Sequence, residues 1–311
     1  MSIAAAGQVA PWIWVPITIG AAFAQTLRNA AQRSLIQSLG TLGATLVRFL
    51  YGLPFACAWA AVAIVWTGSG WPGGNLLAFA AWLTLGSITQ IAGTALLLKV
   101  MAQRSFAVGI VYSNTELVQV AVFGLVFLGD PLTLVTVGAI LCATVGVVLV
   151  SMRAETGGLR GIAAGFRDGA ALLGLASGCA YGLAAVGFRG AALSLDGVPL
   201  PVAAALALVG AQSLQTVLLG SWLLVRNPKV VAGSFAAWRV SLTAGLMGAT
   251  ASAGWFTAMA MEPVARVRTL GAIEILFALA LSRRLFKERL TPPILAGIAL
   301  IAVGVVLIST R

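Results

Sequence analysis

The chain contains no histidine. That absence removes His-based acid–base catalysis, His metal ligation and His proton relays together, and with them an intramembrane protease built on a Ser–His pair. Charge is scarce too: Asp, Glu, Lys and Arg make up 9% of 311 residues, against roughly 25% in soluble domains. A water-soluble fold of this composition would need a mostly apolar surface, so the expected class is an all-α integral membrane protein. The three cysteines, Cys57, Cys142 and Cys179, sit far apart inside apolar segments and have neither metal nor disulfide spacing. There is no G-x-S-x-G elbow and no Walker loop. Gly157-Gly158 with Gly161 is too poor for a dinucleotide site. The expectation is therefore a non-enzyme with no cofactor and no metal.

What the chain has in abundance is long apolar runs. A spanning helix needs about 20 apolar residues to cross about 30 Å of hydrocarbon. Ten such runs can be marked, at roughly 12–35, 42–66, 76–100, 104–128, 132–152, 169–193, 199–225, 236–260, 263–286 and 291–310. Turn chemistry separates them: Gly68-Ser69-Gly70 with Pro72-Gly73-Gly74, then Asp130-Pro131, Asp196-Gly197, Asn227-Pro228 and Thr291-Pro292-Pro293. The longest polar gap, Arg153 to Asp168, falls between the fifth and sixth runs. It divides the chain into a first half (1–152), a linker (153–168) and a second half (169–311). The N-terminus lacks the basic n-region of a signal peptide, so the first apolar run is expected to be retained.

Net charge is +11, but the basic residues are scattered singly between apolar runs, which is the pattern of membrane loops and not of a nucleic-acid face. Loops after odd-numbered runs hold thirteen Lys and Arg, and the other side holds four: Arg189, Arg266, Arg268 and Arg311. By the positive-inside rule this places the linker in the cytoplasm and both termini outside a bacterial-type inner membrane.

The two halves repeat. Ala102–Ser151 returns 158 positions later, without a gap, as Ala260–Ser309. Glu116 falls on Glu274, Asp130 on Glu288, Leu132-Thr133 on Leu290-Thr291, and the VGVVL of 145–149 on that of 303–307. With five runs per half, the second half enters the membrane from the opposite side. The architecture expected is thus ten helices in two inverted five-helix repeats, enclosing a site near the midplane.

Glu116 lies near the centre of its run, with Ser113 and Gln119 on its face and Asn114 and Thr115 beside it. An isolated carboxylate there costs about 3 kcal/mol or more, so it faces a cavity or a partner. It could hold a substrate ammonium or exchange a proton. It could equally pin helices through a salt bridge to Arg28 or Arg48. Glu274 sits at the same depth among apolar neighbours and could pair with Arg268 or with the other half. Of the two, Glu116 is the favoured substrate group. Gln25 and Asn29 put polarity into the first run, Gln90 and Thr94 into the third, and Gln212 and Gln215 into the seventh. Arg28 could meet a carboxylate or snorkel, and Arg48 is expected to snorkel or pin the fold. Trp12, Trp14, Trp66, Trp71, Trp222 and Trp238 sit near run ends as interfacial anchors, whereas Trp255, Tyr181 and Tyr112 are interior aromatics. Gly138, Cys142 and Gly146, and Gly297 and Gly304, form small-residue stripes suited to helix packing.

Leu128-Gly129-Asp130-Pro131-Leu132-Thr133 and Lys287-Glu288-Arg289-Leu290-Thr291, each followed by a Gly-containing segment ending VGVVL, resemble the drug/metabolite transporter superfamily, in particular its EamA-type ten-helix exporters. The likeness covers essentially the whole chain, once per half, and is nearest to the YddG-type amino-acid exporters. It implies export of aromatic and other neutral amino acids or related metabolites, with Glu274 and, by the repeat, Glu116 facing the cavity. A multidrug exporter of cationic compounds is the alternative within the same fold, and a membrane-embedded lipid-handling enzyme a remote one. Two features depart from the family. Its usual proline beside these glutamates is missing, which argues against local unwinding there, and its termini are usually cytoplasmic. The expected substrate site is Gln25, Asn29, Gln90, Ser113, Glu116, Gln119, Tyr181, Trp255 and Glu274. The expected partners are a small-molecule substrate and membrane lipid, with a monomer as the simplest state.

Overall fold

In the computed structural model the described residues are 11–103, 110, 113–114, 116–151, 169–286 and 292–309. Tyr112, Thr115, the 153–168 linker and the Lys287–Thr291 motif lie outside them. The described chain is almost wholly helical, as the apolar runs require: in hydrocarbon every backbone N–H and C=O must be satisfied within its own segment. The helices are α1 (Trp14–Leu50), α2 (Leu53–Thr67), α3 (Leu76–Gln103), α4 (Glu116–Phe123), α5 (Leu134–Ser151), α6 (Gly169–Leu193), α7 (Leu200–Arg226), α8 (Pro228–Ala236), α9 (Trp238–Met261), α10 (Val264–Gly271), α11 (Glu274–Phe286) and α12 (Pro292–Ser309). A π-helical turn, Gly124–Leu128, extends α4. The Gly-rich turn after α2 and the Asp196-Gly197 turn after α6 pair as a two-residue antiparallel ribbon, β1 (Gly73–Gly74) with β2 (Leu195–Asp196).

Several boundaries differ from those expected. The first and second apolar runs are joined in α1, which kinks at Gly40 (φ 68°, ψ 176°). This backbone region is open essentially to glycine alone. The second run is then interrupted at Tyr51-Gly52 before α2 begins. The short helix α8 meets α9 at 90°, an element the hydropathy pattern did not announce. Among the described residues four stretches are long and apolar enough to cross a membrane, or five if the bent α8–α9 pair is one span. Glu116–Leu128 and Leu134–Gly146 are shorter apolar helices.

Apolar side chains face outward to a degree that water would not tolerate. Val65 is 82%, Trp66 86% and Leu134 91% exposed, while Thr18, Gln32, Ser87 and Gln215 are buried. Such a molecule is solvated by lipid. Trp12, Trp66, Trp71, Trp222 and Trp238 are exposed as anchors should be, but Trp14 is not. Its ring is buried, with the Arg266 guanidinium 5.2 Å from the centroid.

The most extensive packing joins α1 to α9, α3 to α6, and α5 to α12. Small residues permit it. A Cβ on Gly187 of α6 would lie 2.8 Å from Gly86 N on α3, and one on Gly146 of α5 would lie 2.6 Å from Gly297 O on α12. Gly304 likewise abuts the Ala139 carbonyl, whereas Gly138 meets nothing within 4 Å. The glycine stripe therefore packs helices at Gly146, Gly297 and Gly304 but not at Gly138.

Both glutamates begin a helix after an interruption, despite the missing prolines. Ahead of α4, Ser113 Oγ (2.9 Å) and Asn114 Nδ2 (2.8 Å) both donate to the Ile110 carbonyl, and Leu117 N reaches back only to Asn114 O (3.2 Å). Between α10 and α11, Ala272 N bonds Thr269 O and Ile273 N bonds Leu270 O, both at 3.2 Å. The i→i−3 pattern is a local 3₁₀ tightening. Thr269 Oγ1 donates to Ala265 O at 2.7 Å. Such back-bonding by Ser, Thr and Asn side chains competes with the helical ladder and bends it, which proline would otherwise have done.

Candidate functional site

Polar side chains from seven helices converge where α1, α3, α6 and α9 meet the two helix breaks. The Glu116 carboxylate, buried at the start of α4, accepts on Oε1 from Nε of Arg268 on α10, whose Nη2 makes an ion-pair contact with the same oxygen. Its Oε2 is buried with no partner among the described residues. Arg268 also lies over the Trp255 indole of α9, 4.5 Å from the ring centroid, a cation–π contact. Trp255 Nε1 donates to Gln25 Oε1 at 2.9 Å, and Gln25 Nε2 donates to Glu274 Oε2 at 2.5 Å. Asn29 Nδ2 donates to the other oxygen, Oε1, at 2.9 Å. The two glutamates are thus linked by one chain of contacts: Glu116, Arg268, Trp255, Gln25, Glu274.

Two further guanidinium groups enter from α1. Arg28 donates from Nε (3.2 Å) and Nη2 (2.7 Å) to Asn29 Oδ1. Arg48 Nη1 donates to Thr94 Oγ1 of α3 at 2.9 Å, where the Tyr181 hydroxyl of α6 also converges at 3.0 Å. Neither arginine snorkels: Arg28 is 1% and Arg48 2% exposed. Room for both stems comes from Gly248 on α9, where a Cβ would sit 3.2 Å from Arg28 Cδ and 3.4 Å from Arg48 Cγ. The small-residue run ahead of Trp255 therefore accommodates arginines as well as helix contact.

Two small cavities open into this network. One, of about 30 Å³, is bounded by Gln25, Arg48, Gln90, Tyr181, Trp255 and Arg268, with an aromatic wall completed by Phe188 and Phe256. The other, of about 10 Å³, is bounded by Arg28, Asn29, Ser113, Asn114, Glu116 and Glu274 among others. A water requires about 10–15 Å³, so the site is contracted and a metabolite would need the walls to part.

Of the nine residues expected, eight line one or both of these cavities. Gln119 lines neither and is half-buried. Gln90 also accepts from Gln215 Nε2 on α7 at 2.9 Å. The expected partner of Glu116, Arg28 or Arg48, is corrected to Arg268. Glu274, expected in apolar surroundings, is held by two amides of α1. Arg268 was counted as a loop charge because it follows an apolar run closely. Its place inside α10, one helical turn before a break, is what brings it to the centre.

A second cluster ties the halves at one edge. Asp130, after the π-helical turn, forms an ion pair from Oδ1 with Arg189 Nη2 of α6 (3.2 Å) and accepts on Oδ2 from Val264 N, the first residue of α10, at 3.2 Å. Arg189 Nη1 in turn donates to the Met259 and Glu262 carbonyls. The carboxylate caps the helix whose Arg268 reaches the central network.

Residues 169–310 match the EamA-like transporter family. The EamA-matching segment runs from α6 through α12 and supplies Tyr181, Trp255, Arg268 and Glu274. Gln25, Asn29, Arg48, Gln90 and Glu116 come from the preceding half. A solved structure, described only as the crystal structure of a protein, aligns over 94% of this chain and 94% of its own with a TM-score of 0.64 at 16% identity. At that identity the likeness concerns the fold alone. No curated protein sequence matches.

Proposed function

We propose that the chain is a secondary transporter that exports amino acids, aromatic and other neutral ones first, or closely related small metabolites, across a bacterial-type inner membrane. It works by alternating access: two five-helix halves in inverted orientation, ten helices in all, rock about the central network. One observation carries this reading. The buried network at the centre is built from both halves, and the Glu116–Arg268 pair joins them directly. Intramembrane ionisable groups are expensive and mark substrate or ion pathways, and the EamA match in the second half points to transport. The contact pattern favours the repeat: exchanging the halves turns the α1–α9 contact into the α3–α6 contact and leaves α5–α12 unchanged. Both termini belong outside on the charge bias, and moving Arg268 into the core removes one charge from the sparser side.

Export of cationic drugs is the weaker alternative. It would rest on Glu116 as the cation's partner, and the charge of that carboxylate is already matched by Arg268 through Oε1. Proteoliposome uptake of labelled aromatic amino acids beside an ethidium-like cation tests the choice. Saturable flux of the amino acids is the expected result. Flux of the cation alone selects the alternative, and no flux of either with turnover of a lipid overturns both.

A further inference from the structure

The buried charges at the centre do not balance. Among the described residues, three guanidinium groups (Arg28, Arg48, Arg268) meet two carboxylates (Glu116, Glu274). Arg268 is paired with Glu116. Arg28 reaches Glu274 through Asn29, whose amide accepts from the arginine and donates to the carboxylate. Arg28 keeps its own orphaned donor, Nη1, but Arg48 is the cation that among the described residues meets no carboxylate either directly or through one bridging side chain. Its hydrogen-bonded partner is the neutral Thr94 hydroxyl, its Nε is buried with no partner among the described residues, and the Phe49 ring lies 5.4 Å from its guanidinium carbon. Its stem runs beside that of Arg28 across Gly248, so a second positive charge is close by. A buried charge without a counter-charge is unfavourable in low dielectric, and Arg48 is one of the residues that line the cavity of about 30 Å³.

Resting on the transport reading above, we propose that Arg48 is the docking point for a carboxylate and that the site takes small organic anions with an apolar, preferably aromatic body. An amino group on the substrate is not required. The side-on edge of a guanidinium, Nε with the adjacent Nη, grips a carboxylate through two parallel hydrogen bonds, and Nε is the orphaned donor here. The remaining walls suit the body of such a molecule: Tyr181, Phe188, Trp255 and Phe256 are aromatic, with Phe188 and Phe256 stacked at 4.2 Å. The amides of Gln25 and Gln90 are neutral. Of the two carboxylates, Glu274 is held on both oxygens by Gln25 and Asn29, and Glu116 is neutralised by Arg268 through Oε1, with Oε2 unpartnered among the described residues. Anion binding would bring the centre to charge balance.

Three labelled probes of one shape test this in proteoliposomes: 3-phenylpropionate (carboxylate only), phenylalanine (both groups) and phenethylamine (ammonium only). The expected result is saturable uptake of 3-phenylpropionate at least as fast as that of phenylalanine, with phenethylamine at background. Arg48→Gln is expected to lower 3-phenylpropionate uptake at least tenfold and Arg48→Lys less. The order of the three probes on the unmodified protein stands even if the variants fail to fold. Uptake of phenylalanine or phenethylamine without 3-phenylpropionate overturns the assignment of Arg48 while leaving transport intact. Background flux for all three from monodisperse protein overturns the transport reading with it.

Discussion

Arg268 and Glu116, 152 positions apart, form an ion pair in which both nitrogens of one guanidinium edge reach a single carboxylate oxygen. The pair joins the start of α4 to the middle of α10, so each half fixes the position of the other at the centre of the molecule. It also sets the arginine over the Trp255 ring, which carries the contact on to Gln25 and Glu274. A transporter that rocks one half against the other must change some of these contacts, and their partners are therefore the places to perturb.

Breaking a buried ion pair from one side leaves an uncompensated charge and costs about 3–5 kcal/mol. Glu116→Gln and Arg268→Gln are each expected to lower thermal stability in detergent markedly. The double variant, which removes both charges, should recover most of the loss. A double variant as unstable as the sum of the two singles would show that the residues do not act as a pair.

Glu274 accepts one hydrogen bond on each oxygen. Glu274→Gln replaces one acceptor with a donor and sets it against the Gln25 or Asn29 amide, an unsatisfied arrangement costing about 1–3 kcal/mol. Destabilisation of that size with weakened uptake is the expected outcome. A folded variant with unchanged uptake and unchanged pH dependence would remove Glu274 from both substrate and proton handling.

Asp130 secures the N-terminus of α10 and Arg189 together. Asp130→Asn removes the charge from both contacts, a loss of about 1.5–3 kcal/mol for hydrogen bonds to a charged group. With Cys57, Cys142 and Cys179 replaced, a single cysteine at position 263 should react faster with a water-soluble maleimide in this variant. Equal rates would mean that the cluster does not hold that edge closed.

At Gly40 the backbone (φ 68°, ψ 176°) excludes a side chain, although nothing lies within 4 Å of where its Cβ would be. Gly40→Ala is therefore expected to cost about 1–3 kcal/mol from backbone strain alone. Gly271→Val acts by contact instead, because its Cβ runs into the Trp255 ring, and should impair transport more than stability. Thermal unfolding beside uptake separates the two effects.

Orientation is open to a direct check. Periplasm-active alkaline phosphatase fused after residue 160 should be inactive, and fused after Arg311 active. The reverse pattern would overturn the charge-based topology.

Much was legible in the residues themselves. The apolar runs and the duplication that sets Glu116 on Glu274 follow from local composition and spacing, because a helix that must satisfy its own backbone in lipid leaves few other options. Eight of the nine expected site residues face the central cavities for the same reason: polar groups in a span turn inward. Partners were another matter. Whether Glu116 meets Arg28, Arg48 or Arg268 depends on the rotation and rise of helices far apart in sequence, and on breaks made by Asn114, Ser113 and Thr269 where no proline announced them. The tertiary structure decided that Glu116 is paired, that Glu274 is held by amides of α1, and that Arg48 is the unbalanced charge, because a charge balance exists only once the helices are assembled around it.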